Sequence, residues 1–377
     1  VPDVIIIGGG VIGLSIACEL AGEGVSVAVL DQGQVGQESS WAGAGILPPG
    51  NPALARTPEA RLRAASHVLW PELSARLKAE TGIDNGFYRS GGLEVRIDGS
   101  DSALDDEAAL WRTEGVALQP LANRDVWEFE RELSPQIASA YRLPEMGQVR
   151  NPRHLKALVA LALKRGVSLL PGVIVCGFDR QQEKVVAVET SSGKMPAGQF
   201  VVAGGAWSGR LLAEVGCHAA VRPLRGQIVL LATQPSPIRH VVNVGPRYLV
   251  PRGDGRVLVG ATEEAAGFDK RTTACGVGGL MDFAIGLVPA LARATFERSW
   301  AGLRPQSADG LPYLGRVSQA NNLYVATGHF RAGLQLSPVT GLVMSQLLLG
   351  RESTVPLAPY SPERHHAVPE FSTTSRH

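Results

Sequence analysis

Residues 3–20 read "DVIIIGGGVIGLSIACEL", and this stretch decides the fold. Val4 to Ile7 are apolar and β-branched, the composition of a buried strand. Gly8, Gly10 and Gly13 follow at G-x-G-x-x-G spacing. Beyond them Ile12, Ile16 and Leu20 recur at helical spacing, and Gly22 and Gly24 end the helix. "VSVAVLD", residues 25–31, is a second strand. Strand, glycine turn, helix and strand make a βαβ unit, which implies a parallel sheet. Gly8 permits the tight turn, Gly10 lets a pyrophosphate approach the backbone, and Gly13 lets helix and strand pack closely. The helix start offers free N–H groups and partial positive charge. Asp31 closes the second strand at the offset where a carboxylate accepts ribose hydroxyls, with Gln32 beside it. A lone glycine fingerprint is weak, but here four features agree on a dinucleotide.

The rest of the chain sets the frame. At 377 residues with 45% hydrophobic content, it is long enough for two domains and a full core. Lys and Arg total 36 against 35 Asp and Glu, so charge gives no reason to expect nucleic acid as a partner. Cys18, Cys176, Cys217 and Cys275 lack metal or disulfide spacing, and no metal is expected. No apolar run is long enough for a membrane span, the first one lacks a basic flank, and the cytoplasm is the default compartment.

Further glycine-bearing strand-to-helix turns come late, in "VVAGGAWSG" (201–209) and "ATGHFRAGLQLSP" (326–338). Between them lie strand-rich segments, including "RYLVPRGDGRVLVGAT" (247–262), where Asp254-Gly255 suggests a type I′ hairpin. "RTPEARLRAASHVLWPELSARLKAETG" (56–82) is helical, with Pro71 as a kink or boundary. The expected architecture is α/β (α+β overall). A Rossmann-like nucleotide domain is drawn from residues 1–84, 146–221 and 301–360. A mainly antiparallel substrate domain, 85–145 and 222–300, is inserted discontinuously, and 361–377 form a loose tail. The fingerprint alone does not separate FAD from NAD. The late glycine turns favour FAD, a long ligand that needs protein along its whole length. The last helix N-terminus would face the flavin's pyrimidine end and stabilise charge that develops there on reduction.

The stretches "DVIIIGGGVIGLSIACEL", "ESSWAGAGIL", "VVAGGAWSG" and "WAGLRPQSADGLPYLG…GHFRAGLQLSP" resemble the D-amino-acid oxidase family of FAD-dependent oxidoreductases over essentially the full length. "YLVPRGDGRVLVGATEEAAGFDK" is similar to its glycine-oxidase branch, of the thiamine-pathway type. The resemblance implies oxidative deamination of glycine or another small amino acid or amine. Hydride passes from the α-carbon to flavin N5, the imine is hydrolysed to a 2-oxo acid and ammonia, and O2 becomes hydrogen peroxide. It implies a homo-oligomer, and FAD held non-covalently, since no cysteine lies within 303–315, where sarcosine-oxidase relatives attach theirs.

Residue by residue, the resemblance places Gly8, Gly10, Val11, Ile12, Gly13, Asp31 and Gln32 on the dinucleotide. Ser39, Ser40, Ala44, Gly45 and Ile46 run beside phosphates and ring, Val173 lies on the adenine side, and Gly205 belongs to the middle turn. His329, Phe330, Arg331, Ala332, Gly333, Leu334 and Gln335 cradle the ring. Arg304 clamps the substrate carboxylate, Tyr248 joins it, and Arg331 stands at the boundary of substrate and flavin. His329 is read as packing rather than as a base. Pro48 to Ala55, Pro246 and Arg247 depart from the family pattern, which leaves the choice among glycine, sarcosine and D-amino acids open. Three rivals stay open: a dehydrogenase with another electron acceptor, an NAD-dependent dehydrogenase, and a non-catalytic flavin protein.

Overall fold

The computed structural model describes residues 1–97 and 102–365. The quoted stretch forms strand β1 (Val4–Ile7) and helix α1 (Val11–Gly22), followed by strand β2 (Val27–Asp31). β1 pairs in parallel with β2 on one side and with Gln199–Val202 on the other. Leu323–Thr327 and Ser168–Pro171 extend the parallel sheet, and Tyr313–Arg316 adds an antiparallel edge. β1 is buried on both faces, which is why it reads as an unbroken apolar run rather than an alternating one.

One face of this sheet carries α1, packed against the late helix Gly333–Leu348. The approach is close at Gly341, where a Cβ would stand 3.1 Å from the backbone and side chain of Ser15. Helices Asn151–Lys164 and Pro58–Thr81 complete the layer. Pro58–Thr81 runs unbroken through Pro71, so of the expected kink or boundary there the boundary is absent. Pro71 lies on the exposed face.

The second sheet has eight strands. In spatial order they are Thr295–Ser307, Val221–Ala232, Arg256–Gly260, Arg247–Pro251, Val241–Val244, Gly92–Arg96, Ser139–Leu143 and Gln119–Ala122. All neighbours are antiparallel except Val241–Val244 with Gly92–Arg96. Mixed α/β architecture with one parallel and one largely antiparallel sheet is therefore the observed fold. The hairpin at Asp254-Gly255 is present, but its turn is not type I′. Of those two residues only Gly255 takes a left-handed φ, at 84°, and its N–H closes onto the Arg252 carbonyl at 3.0 Å. Asp254 instead turns its carboxylate to Arg150, 2.6 Å away.

The first residues of the expected loose tail are tied down. Arg364 donates to both Asp309 carboxylate oxygens and stacks over Tyr313, 3.7 Å from the ring centroid. Residues 366–377 lie outside the described residues.

Candidate active site

A cavity of about 670 Å³ runs from the glycine turn after β1 to the face of the eight-stranded sheet. Every sequence-derived site residue lines it except Gly13. Gly13 sits behind the wall, where a Cβ would come within 1.9 Å of the Gly8 carbonyl oxygen. Its contribution is the packing of α1 onto β1, so it touches the cavity only through Gly8.

The turn itself is held by polar groups. Gly8 takes a φ of 113°, open to glycine but strained for other residues. Asp31 accepts from the N–H of Gly9 and of Gly33, each at 2.8 Å, so the acid that ends β2 also braces the loop it faces. α1 has no capping side chain at Gly10, but Ser40 Oγ accepts from Val11 N at 2.9 Å. Ser40 thus reaches the helix start, and Ser39 lines the cavity beside it.

The wall on the other side begins at Phe330. Helix Gly333–Leu348 also lacks a capping side chain, so its first N–H groups are directed at the cavity end. The helix start is pinned by Ser66 Oγ and by Trp70 Nε1, which donate to the Gln335 carbonyl. His329 is buried, and its Nε2 is 3.1 Å from Thr340 Oγ1. Burial pushes its imidazole down to about 3, so it is neutral near pH 7. Glu38, Gln182 and Phe330 are the non-glycine residues with left-handed φ among the described residues. Glu38 and Phe330 line the cavity, and backbone strain of this kind collects at binding sites.

Cross-strand register builds the far wall. Ile228, Gly260, Tyr248, Asn243 and Glu94 stand opposite one another on consecutive strands, so they share one face of the eight-stranded sheet. Glycines make room for the large side chains above them. A Cβ on Gly260 would fall 2.4 Å from the Tyr248 ring, and one on Gly226 would fall 2.4 Å from the Arg304 guanidinium. Arg304 and Tyr248 are therefore laid flat over the sheet and held together at the cavity wall. Burial raises the Tyr248 phenol above its ordinary value, against the pull of Arg304 beside it, so the hydroxyl stays protonated. Arg304 donates Nη1 to the Thr262 carbonyl at 3.0 Å.

Three residues near this end, Glu263, Glu94 and Arg252, were not among the sequence candidates. Glu263 receives both prongs of Arg331, at 2.7 Å each. Glu94 accepts from Asn243 Nδ2 at 2.6 Å, and burial, opposed by that bond, pushes its carboxyl up to about 8. Arg252 is buried and donates to the carbonyls of Ala44 and Val149, tying the hairpin to the turn at Gly45. Burial lowers it to about 10, still charged at neutral pH. The signal for Glu263 lay in "ATEE", paired acids directly after an apolar strand. Glu94 had one too, a lone acid inside "GGLEV". Trp41 and Trp300 meet edge to face, 5.5 Å between centroids, behind the cavity, while Trp207 lines it.

A family model described as FAD dependent oxidoreductase, DAO, matches residues 3–347. The chain belongs to this family of FAD-dependent oxidoreductases. It is 38% identical to glycine oxidase from Pseudomonas putida over 365 residues, 96% of this chain and 98% of that one. The crystal structure of glycine oxidase from Geobacillus kaustophilus superposes with a TM-score of 0.92 at 35% identity, covering 97% of this chain and 99% of that one. A bifunctional protein ThiO/ThiG from Trichormus variabilis is 32% identical over 93% of this chain, which spans 53% of its length. Within the family, then, the chain is an FAD-dependent amino-acid oxidase of the glycine-oxidase-like branch.

The cavity suits that cofactor. It is long, it runs between two helix starts without capping side chains, and glycines 8, 10 and 45 leave backbone bare along it. Two buried oxygens on its wall, Asn151 Oδ1 and Ser208 Oγ, have no partner within the protein. Such groups call for a polar ligand. Among the described residues no helix is long and apolar enough to cross a membrane, and no cluster is placed to hold a metal ion.

Proposed function

We propose that the protein oxidises glycine or a comparably small amino acid, held by its carboxylate on Arg304 and Tyr248. The net reaction consumes the amino acid, water and dioxygen and gives a 2-oxo acid, ammonia and hydrogen peroxide. FAD, bound without a covalent link, supplies the two-electron chemistry. The observation that carries this reading is the pairing of Arg304 with Tyr248 over bare glycines, on the same cavity as the glycine turn. A guanidinium receives a carboxylate through two parallel N–H bonds, which fixes the direction of the α-carbon. The protonated Tyr248 hydroxyl is available to donate a third. Orientation is the chain's main contribution, since a well-held reactant needs little further help from side chains. His329 is read as packing beside the ring, since burial makes its imidazole a weak base and Nε2 lies against Thr340.

The remaining assignments follow the same reading. Gly8, Gly10, Val11, Ile12, Asp31, Gln32, Ser39 and Ser40 hold the dinucleotide, with Val173 toward the adenine and Gly205 on the middle turn. Ala44, Gly45, Ile46 and His329 to Gln335 hold the ring. The nucleotide domain comprises 1–84, 146–221 and 301–360, and the substrate domain 85–145 and 222–300. The two large sheets support this division in outline, although Thr295–Ser307 and Val221–Ala232 each cross a boundary and Tyr88–Arg89 pairs with Gly147–Gln148 across one. Likeness to ThiO/ThiG proteins supports a role in supplying thiamine thiazole synthesis. Four free cysteines suit the cytoplasm.

Arg304→Ala is the test. The variant is expected to stay yellow and to lose most turnover with glycine, read as peroxide release. Near-normal turnover would remove the carboxylate clamp and this reading with it. Fast reoxidation in air after anaerobic reduction by glycine identifies dioxygen as the acceptor; slow reoxidation identifies a carrier.

A further inference from the structure

Arg304 does not stand alone at its end of the cavity. Arg331 lines the same wall, and its Nε and Nη2 donate to the two oxygens of Glu263, 2.7 Å each. Glu263 also comes within 4.0 Å of Arg304 Nη1. One of the two arginines therefore already holds a carboxylate, in the two-pronged geometry by which a guanidinium grips a carboxylate ligand. Glu263 is the more enclosed partner, with its side chain 19% exposed against 42% for Arg331. Arg304, 17% exposed, is engaged by the Thr262 carbonyl and the Tyr248 hydroxyl, and Glu263 stands off at 4.0 Å.

We infer that Glu263 sets the charge of the substrate this cavity accepts. It fills Arg331 as an internal carboxylate, leaves Arg304 to receive one carboxylate from outside, and turns away amines that carry two. The inference rests on the proposed function, because it takes Arg304 as the substrate's anchor. The electrostatics run one way. A second substrate carboxylate that reached Arg331 would lie beside the Glu263 anion, and like charges repel more strongly at a partly enclosed wall than in water. It would also have to displace a bidentate partner already in place. Glu263→Gln keeps the shape and a hydrogen-bond acceptor but removes the charge. It converts a wall of net one positive charge, counting these three side chains, into one of two.

The test compares the FAD-loaded wild type with Glu263→Gln. Thermal midpoints are read with acetate and with malonate, and kcat/KM with glycine and with iminodiacetate, a secondary amine bearing two carboxylates. In the wild type, malonate is expected to stabilise no more than acetate. In the variant, malonate should exceed acetate, and the iminodiacetate-to-glycine ratio of kcat/KM should rise by about tenfold or more. A ratio and a malonate-to-acetate difference that stay at wild-type values would overturn the inference. So would a wild type that malonate stabilises more than acetate, a result that does not depend on the variant folding. Flavin that no small amino acid bleaches anaerobically would overturn the functional reading itself, and the role of Glu263 with it.

Discussion

The two ends of the cavity are made differently. At the nucleotide end the wall is mostly main chain: the turn from Gly8 to Ile12, backed by Gly13, the bare starts of two helices, and the segment around Gly45. At the substrate end the wall is side chains. Arg304, Tyr248, Glu263 and Glu94 come from separate stretches of sequence: strand register sets Tyr248, Glu94 and Arg304 on the eight-stranded sheet, and Glu263 joins them through Arg331. A main-chain wall tolerates no added atom, whereas a side-chain wall can be retuned one residue at a time. The first should therefore fail all at once and the second by degrees.

The largest expected effect lies at the main-chain end. Gly13→Val places a Cβ within 1.9 Å of the Gly8 carbonyl and leaves no room for α1 on β1. This variant should be recovered colourless or insoluble, as absorbance in the visible flavin bands will report. A yellow, soluble Gly13→Val would break the contrast between the two ends.

Gly226→Ala comes next. Its methyl would meet the Arg304 guanidinium at 2.4 Å and lift it from its seat. Flavin content should be unchanged, while kcat/KM for glycine falls on the order of a hundredfold, the scale of a misplaced binding group. Tyr248→Phe removes one hydroxyl and keeps the ring, so a loss of about tenfold, mostly in KM, is expected. A larger loss from Tyr248→Phe than from Gly226→Ala would transfer the anchoring role from Arg304 to the phenol.

The smallest effect concerns acidity. Glu94 has an ordinary carboxyl value of 4.5 and is pushed up to about 8 in the fold. Folding therefore favours its protonated form, and that contribution is complete below pH 4.5 and drains away as pH rises to about 8. Glu94→Gln should raise the thermal midpoint at pH 8 by roughly 2–4 °C and leave it unchanged at pH 4.5. His329 has the opposite sign. Its value falls from 6.5 to about 3, so its contribution is complete above pH 6.5 and is lost as pH drops toward 3. Equal midpoint shifts for Glu94→Gln at both pH values would mean that the carboxyl is charged in the folded protein.

The same contrast explains what could be read in the chain. Gly13 and Asp31 act on neighbours within one βαβ unit, so spacing alone carries their roles. Arg304 and Tyr248 had no such local pattern and were reached through resemblance to a family. Glu94 was passed over because its meaning depends on which strands lie side by side, and Glu263 because its partner Arg331 is 68 residues away in the chain. The hairpin at Asp254-Gly255 was legible but its turn type was not, since the tie from Asp254 to Arg150 is a long-range contact. The first residues of the supposed tail were misread for the same reason, as Arg364 finds Asp309 only in the folded chain.

The strand Thr295–Ser307 has a mechanical consequence. It is paired along nearly its whole length with Val221–Ala232, yet Trp300 Nε1 reaches the Ala42 carbonyl at 3.0 Å and Gln306 bridges to His329. One ribbon is thus stitched to both halves of the molecule. A clamshell motion would have to tear those stitches, so traffic of small molecules should pass over the rim instead, with the two halves moving as a single block.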